Sequence, residues 1–537
     1  MPGEICVPQA DSSNIAGTPL RTALWLAALF AALKFSLLLA SSLWGSHLGY
    51  GFFRDELYYL VCGHHLAWGY VDQPPLVALQ ARLAETIFGL SPTGIRIFSF
   101  AAGGLTVGLT GLLTRQLGGR RLAQVLAMTA VFCAPVHLVI GSFLSMNAWE
   151  PVFWMGSLLV VLRIADGSAH PRAWLLFGLI AGLGIENKHS TVFFLVSLGL
   201  GLLLSPERRI LWSRWCAAGV GLLILLALPN LVWQWVHHFP TYELLSNIDH
   251  SDRNIKMPPL AFLIQQGRMQ LFVSAPLWLG GLICLGLSRP ARAVRFVAFT
   301  YLVFLAMMML MHGKDYYLAP IYPVLFAAGA AALSHLARPQ WPRWVHFAVP
   351  TVEVAWALLL VALFCLAVPL LLPVMPPDRY QAYQQRMGIK IPKQEKFTSP
   401  LPQFLSDRFG WPEMVKGFAD HYYALPPDVR ARTTIFCGNY GEASAVNMLG
   451  PRYGLPTAIS GHQNYFFWGW NGNSGEYVLT LRSPTRKTDK YYETLTDLGP
   501  FDAPWMMDFE RLHFFLLSNP KQTPVFPTIW PKLKFWN

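Results

Sequence analysis

The sequence predicts an all-α polytopic membrane bundle of about eleven transmembrane helices over residues 1–375, followed by an extracytoplasmic α/β domain over 376–537. Three observations carry this. Of 537 residues, 54% are hydrophobic and 13% charged, with 35 Phe, 20 Trp and 19 Tyr, more apolar surface than a soluble core needs. Apolar runs close to the ~20 residues of a spanning helix recur along the first part of the chain. Beyond Pro376 no such run remains, and the rise in Pro, Gln, Lys and Asp marks a separate domain.

The runs lie near 22–45, 94–116, 121–141, 148–165, 173–204, 214–236, 271–287, 293–311, 317–336 and 345–373. The 173–204 run is too long for one span and is interrupted by Glu186, Asn187, Lys188 and His189, so it reads as two spans joined by a polar turn. Short loops rich in Lys and Arg stay cytoplasmic. With the N-terminus inside, every inner loop is basic: Arg115, Arg120 and Arg121; Arg163 and Arg172; Arg208, Arg209 and Arg214; Arg289, Arg292 and Arg295; Arg338 and Arg343. The outer segments are then the 49–93 loop, the turns at 142–147 and 187–190, the 237–270 loop, the turn from His312 to Tyr316, and the C-terminal domain. On this reading the first outer loop and the C-terminal domain face away from the cytoplasm.

The formal charge of +12 is a topology signal, because the arginines sit in those loops and form no basic surface interleaved with aromatics; nucleic acid is not an expected partner. Seven cysteines are scattered without a disulfide framework or metal spacing, and only Cys62 and Cys437 are conceivable as a pair. The polar N-terminal twenty residues and the length of the first apolar run speak for a retained anchor rather than a cleaved signal. Lys34, in mid-span, is expected to face the bundle interior.

In the C-terminal domain, Thr433 to Cys437 and Tyr477 to Leu481 read as strands and Gly441 to Leu449 as a helix. The turn Gly438-Asn439-Tyr440-Gly441-Glu442 lacks the glycines and lysine of a phosphate loop and reads as an ordinary βα connection. Gly461 to Gly475, GHQNYFFWGWNGNSG, suits either a sugar-binding surface or an aromatic loop resting on the membrane or the bundle.

The first outer loop holds the densest chemistry: Asp55 and Glu56, His64 and His65, Asp72, then Pro74-Pro75 as a break. A helix over Asp55 to Leu66 is expected to lie along the surface with its apolar side in the lipid interface. Other polar residues fall at the same outer depth: Asn147 and Glu150, Glu186, Lys188 and His189, then Lys314, Tyr316 and Tyr317. Ionisable groups at span ends are costly to dehydrate and line cavities, so a cavity of acids and lysines is expected. Such a set suits the loss of a proton from an acceptor hydroxyl while a phosphate leaves, with a carboxylate as base and lysines against the developing charge. A divalent metal ion is the other use of the acids, with Asp55 and Glu150 as the candidate ligands, although Asp55 and Glu56 cannot point the same way on a helix.

Asp55-Glu56-x-Tyr58-Tyr59 followed by Gly69-Tyr70-x-Asp72-x-Pro74-Pro75-Leu76 resembles the first outer loop of the GT-C membrane glycosyltransferases related to protein O-mannosyltransferases and lipid A aminoarabinose transferases. Gly182-Leu183-Gly184-x-x-Asn187-Lys188 and Gly313-Lys314-x-Tyr316-Tyr317 with Pro320 and Tyr322-Pro323 are similar to two later motifs of that family, and the resemblance covers about the first 340 residues. It implies a GT-C-like fold and an inverting transfer of a sugar from a polyprenyl-phosphate donor to a lipid, glycan or protein acceptor on the outer face. By position, Asp55, with Glu56 beside it, would be catalytic, and Lys188, Lys314, Tyr59, Asn147, Glu150, His189, Tyr316 and Tyr317 would bind substrate. Where many relatives carry a second aspartate, this chain has Ser145-Met146-Asn147-Ala148-Trp149-Glu150, so Asn147 or Glu150 would take that part. The rival class is a transporter or flippase of a lipid-linked sugar, which would call for broken helices and midplane charges.

Overall fold

The computed structural model describes residues 18–250, 256–288, 291–337, 342–389, 399–485, 488–507 and 512–536; the polar N-terminal residues 1–17, Arg289 and Arg338 lie outside them. Among the described residues, seven helices are long and apolar enough to cross a membrane: Leu20–His47, Pro92–Gln116, Met146–Ala165, Arg214–Val236, Arg292–Leu310, Asp315–His335 and Arg343–Leu371. Two more candidates are bent pairs, Ser190–Leu203 with Pro206–Trp212 at 117° and Pro259–Met269 with Phe272–Leu287 at 92°, which brings the number to as many as nine. The shorter apolar helices Arg121–Cys133 and Ala173–Asn187 occupy the remaining apolar runs.

The described chain divides into two compact units. The first comprises Met1–Ser42, Arg96–Leu231 and Lys256–Leu372. Small residues set its closest helix crossing. A Cβ at Gly329 would overlap the Leu277 carbonyl, and one at Gly281 the Leu325 carbonyl, so only glycine lets the Ala275–Leu287 and Tyr322–His335 helices touch backbone to backbone. Lys34 is fully buried in this unit, as its mid-span position led one to expect, and its Nζ donates to the Phe132 carbonyl at 2.8 Å.

The second unit joins Leu43–Ile95 and Val232–Ile255 to Pro373–Asn537. Its sheet has the order β1-β2-β4-β3, with β1 (Thr433–Ile435) parallel to β2 (Tyr477–Arg482), and β4 (His513–Pro520) antiparallel to both β2 and β3 (Tyr492–Pro500). Both strands and the helix after the Gly438 turn, Tyr440–Leu449, stand where the sequence put them. Val478, Phe515 and Leu517 point from one face of the sheet into a cluster with Phe526, Ile529 and Trp530.

One local expectation is corrected here. The first-loop helix, Arg54–His64, has nine of its eleven residues buried and packs on Tyr440–Leu449, so it is an interior element rather than an interfacial one. The following helix, Leu76–Phe88, instead exposes Leu79, Leu83 and Ile87, spaced four residues apart on one face. The aromatic run from Gly461 starts inside the second unit and becomes more exposed towards Ser474. Gly461 to Tyr465 are buried, and Phe466 and Trp470 pack on Trp530 within the second unit.

Candidate active site

In the first unit, two helix ends bring the expected residues together. Ser145 is extended and opens the Met146–Ala165 helix, whose first turns place Asn147 and Glu150 three residues apart on one side. The Ala173–Asn187 helix ends at Lys188, which is extended (φ −160°, ψ 132°), and Ser190–Leu203 starts directly after it. Asn187 Nδ2 ties the two ends together by donating to the Met146 carbonyl at 2.8 Å.

Lys188 is the centre of this group. Its Nζ donates to Asn147 Oδ1 and to Glu150 Oε2, both at 2.8 Å, and lies 4.6 Å from the Tyr317 ring centre and 5.7 Å from that of Tyr316. Its side chain is 11% exposed and that of Glu150 2%. A lysine this enclosed, facing a carboxylate and two rings, is not reaching for water. Glu150 Oε1 accepts from Ser190 Oγ, a partner that sequence reasoning missed although Ser190 closes the same turn. Two expected residues stand apart: His189 Nε2 lies 3.1 Å from Asn230 Oδ1, and Lys314 is exposed.

In the second unit, Asp55 is about a third exposed, and its Oδ1 accepts from the Tyr440 hydroxyl at 2.6 Å. Arg54 supports the pair: its guanidinium lies 5.7 Å from the Tyr440 ring centre, 3.8 Å from Asp55 and 3.4 Å from the buried Asp407. The approach depends on Gly441, where a Cβ would lie 2.6 Å from Arg54 Cγ. Asn439 Oδ1 accepts from the Glu442 amide and Glu442 Oε2 from the Gly438 amide, so this turn satisfies its own donors and is the ordinary βα connection expected.

The acidic pair therefore splits. Glu56 is fully buried, and its Oε2 accepts from the Phe53 amide at 2.8 Å, a helix-capping bond that turns it away from solvent. Tyr59 is buried behind Tyr58, at 6.2 Å between ring centres. Both histidines are engaged in structure: His64 with Glu85 at 2.7 Å, and His65 stacked on Trp468 at 4.6 Å. Tyr58 Oη donates to Asp72 Oδ1 at 3.0 Å, and burial pushes the Asp72 carboxyl up to about 7. Neither Cys62 nor Cys437 is disulfide-bonded, so the one conceivable pair does not form.

The donors do not fit a divalent ion. Both Glu150 oxygens are taken by Lys188 and Ser190, one Asp55 oxygen is taken by Tyr440, and no three His, Cys, Asp or Glu gather among the described residues.

The first unit is thus a polytopic helical bundle that encloses a lysine among a carboxylate, an amide and two tyrosine rings. Residues 72–233 match the dolichyl-phosphate-mannose-protein mannosyltransferase family. The undecaprenyl phosphate-α-4-amino-4-deoxy-L-arabinose arabinosyl transferase 1 of Pseudomonas fluorescens (strain Pf0-1) is 27% identical over 186 residues, 33% of this chain and 32% of that protein. The corresponding transferase of Pseudomonas aeruginosa (strain UCBPP-PA14) is 27% identical over 188 residues, 33% of each chain. The match thus spans about a third of the length of these curated relatives. Among solved structures, ArnT from Cupriavidus metallidurans bound to undecaprenyl phosphate aligns over 93% of this chain and 99% of its own, at a TM-score of 0.57 and 14% identity; the apo form gives 0.55. The chain is thus a membrane protein with an ArnT-like fold, similar over residues 72–233 to the dolichyl-phosphate-mannose-protein mannosyltransferases and over about a third of its length to aminoarabinose transferases.

Proposed function

We propose that the protein transfers one sugar from a polyprenyl-phosphate donor to a lipid, glycan or protein acceptor on the outer face of the plasma membrane, with inversion at the anomeric carbon. The observation that carries this reading is the enclosed Lys188, a cation held in place among Glu150, Asn147 and the rings of Tyr316 and Tyr317. A leaving phosphate needs positive charge that is already fixed when its own charge develops, and a lysine with a carboxylate partner supplies that without reorganisation. The relatives' names support the donor class, since both curated proteins are undecaprenyl-phosphate sugar transferases and the solved one holds undecaprenyl phosphate.

Asp55 is the base. Its carboxylate takes the proton from the acceptor hydroxyl, the oxygen forms a bond to the anomeric carbon from the face opposite the phosphate, and the carbon–oxygen bond to the phosphate breaks with its electron pair leaving on the polyprenyl phosphate. Tyr440 is a positioning residue for Asp55, since its hydroxyl fixes one carboxylate oxygen and leaves the other for the acceptor. Lys188 and, from its exposed turn, Lys314 offset the charge on the phosphate.

The test is release of polyprenyl phosphate by purified protein given polyprenyl-phosphate-linked sugars and envelope lipid extract. Release by the wild type but not by Asp55→Asn supports the proposal. Movement of the intact lipid-linked sugar across proteoliposomes, without release, would favour a flippase instead.

A further inference from the structure

At the end of the Ser190–Leu203 helix the chain bends by 117° into the short helix Pro206–Trp212, with Ser205 Oγ accepting from the Glu207 amide at the corner. The bend carries Arg208 and Arg209 beside Arg292 and Arg295, and the four arginines line one half-open cavity of about 690 Å³ in which Glu207 is the one carboxylate among the described residues. Arg295 is anchored, its Nη2 donating to the Ser288 carbonyl at 3.2 Å, while its buried Nε has no partner among the described residues. Leu203, Leu204 and Phe299 complete the wall, and Trp212, 81% exposed, stands at the end of the same short helix.

We propose that this cavity is a specific site for the phosphate headgroup of an anionic phospholipid, at the opposite end of the spans from the proposed chemistry. Planar guanidinium forks match phosphate oxygens two at a time, which a set of scattered snorkelling charges does not require. Basic pockets between spanning helices hold lipid headgroups in this way. The occupant is a lipid rather than a free anion because the wall beside the arginines is apolar and exposed, with Leu203 46% and Leu204 65% accessible, and because an exposed Trp belongs at the headgroup level. All four arginines fall in loops that the positive-inside rule assigns to the cytoplasm, so the ligand comes from the inner leaflet.

The experiment uses the full chain in phosphatidylcholine nanodiscs, with phosphatidylglycerol or cardiolipin added stepwise and bound lipid counted by native mass spectrometry. Saturation at one or two tightly held anionic lipids per chain is expected. Arg209→Gln with Arg292→Gln should weaken retention on the order of tenfold or more, whereas Arg121→Gln with Arg343→Gln, which removes two basic residues outside the cavity, should change it less than twofold. Arg209→Lys with Arg292→Lys keeps the charge and guards against misfolding; it should fall between the wild type and the Gln pair. Equal loss in both Gln pairs, or non-saturable binding, would mean general attraction of basic loops to anionic lipid and would overturn the site. Displacement of the lipid by millimolar inorganic phosphate would overturn the lipid assignment. Neither outcome bears on sugar transfer, which is read in a different assay.

Discussion

At the scale of single residues, the proposed site separates groups assigned to chemistry from groups whose charge holds the fold. Replacing Asp55 by Asn keeps the bond to Tyr440 and removes the proposed base, so turnover should fall by about 10²–10⁴, the range of a general acid or base. Replacing Tyr440 by Phe leaves the carboxylate but frees its orientation, and a loss on the order of tenfold in kcat with little change in donor KM is expected from one hydrogen bond to a charged group. A Phe variant with wild-type turnover would remove Tyr440 from the mechanism. Lys188→Met leaves Glu150 buried without its cation, which by itself costs about 3–5 kcal/mol of stability. The pair Lys188→Met with Glu150→Gln removes both charges and should recover folding, as judged by monodispersity and Tm, without recovering transfer; full transfer by the double variant would make the ion pair purely structural. The grouping of Lys188 with Asn147 and Glu150 was legible because each stands at the end of an apolar run. Tyr440 was not, since it lies 385 residues from Asp55 and nothing local marks the pairing. Glu56 was misread because a capping carboxylate at the third position of a helix looks in sequence like the second member of a catalytic pair.

At the scale of elements, the apolar runs were legible from length, although seven helices, or up to nine with the bent pairs, and not about eleven, are long and apolar enough to cross a membrane among the described residues; strands and helix of the C-terminal domain were legible from periodicity. What the sequence hid was which amphipathic piece meets lipid. Arg54–His64 is half polar and short enough for the interface, yet the C-terminal domain covers it, while Leu76–Phe88 keeps its leucines exposed. The chain between them is held by Tyr58 on Asp72, and by Asn464, which accepts from the Val71 amide at 3.1 Å. Burial raises the Asp72 carboxyl from 3.8 to about 7, so the folded protein keeps a proton there that the unfolded chain releases above pH 4. Stability from this group is therefore full below about pH 4 and declines as pH rises towards 7. Asp72→Asn preserves an acceptor for Tyr58 and abolishes the titration, so its Tm relative to wild type should climb between pH 5 and pH 8, by an amount on the order of 1–3 kcal/mol in stability. A relative Tm that falls over that range would show the carboxylate to be favoured in the fold. In the bundle, Gly329→Val drives a side chain into the Leu277 carbonyl and should cost about 1–3 kcal/mol or more, visible as loss of the monodisperse species in detergent.

At the scale of the whole molecule, two claims hang together: the basic loops lie inside, and the proposed chemistry lies outside. A cysteine introduced at Ser474 should react with a membrane-impermeant reagent in intact cells, and one introduced at Ser168 should not; the reverse pattern would move the chemistry to the cytoplasm, where nucleotide sugars are the natural donors. The central claim is that a sugar passes from a polyprenyl phosphate to an envelope acceptor, and it is read most directly by mass spectrometry of envelope lipids and glycans from cells lacking the protein, complemented either with the wild type or with Asp55→Asn. One acceptor should lose a single-sugar mass increment while one polyprenyl-phosphate sugar accumulates, with the wild type restoring both and Asp55→Asn neither. Identical acceptor and donor pools in all of these cells, or restoration by Asp55→Asn, would contradict it.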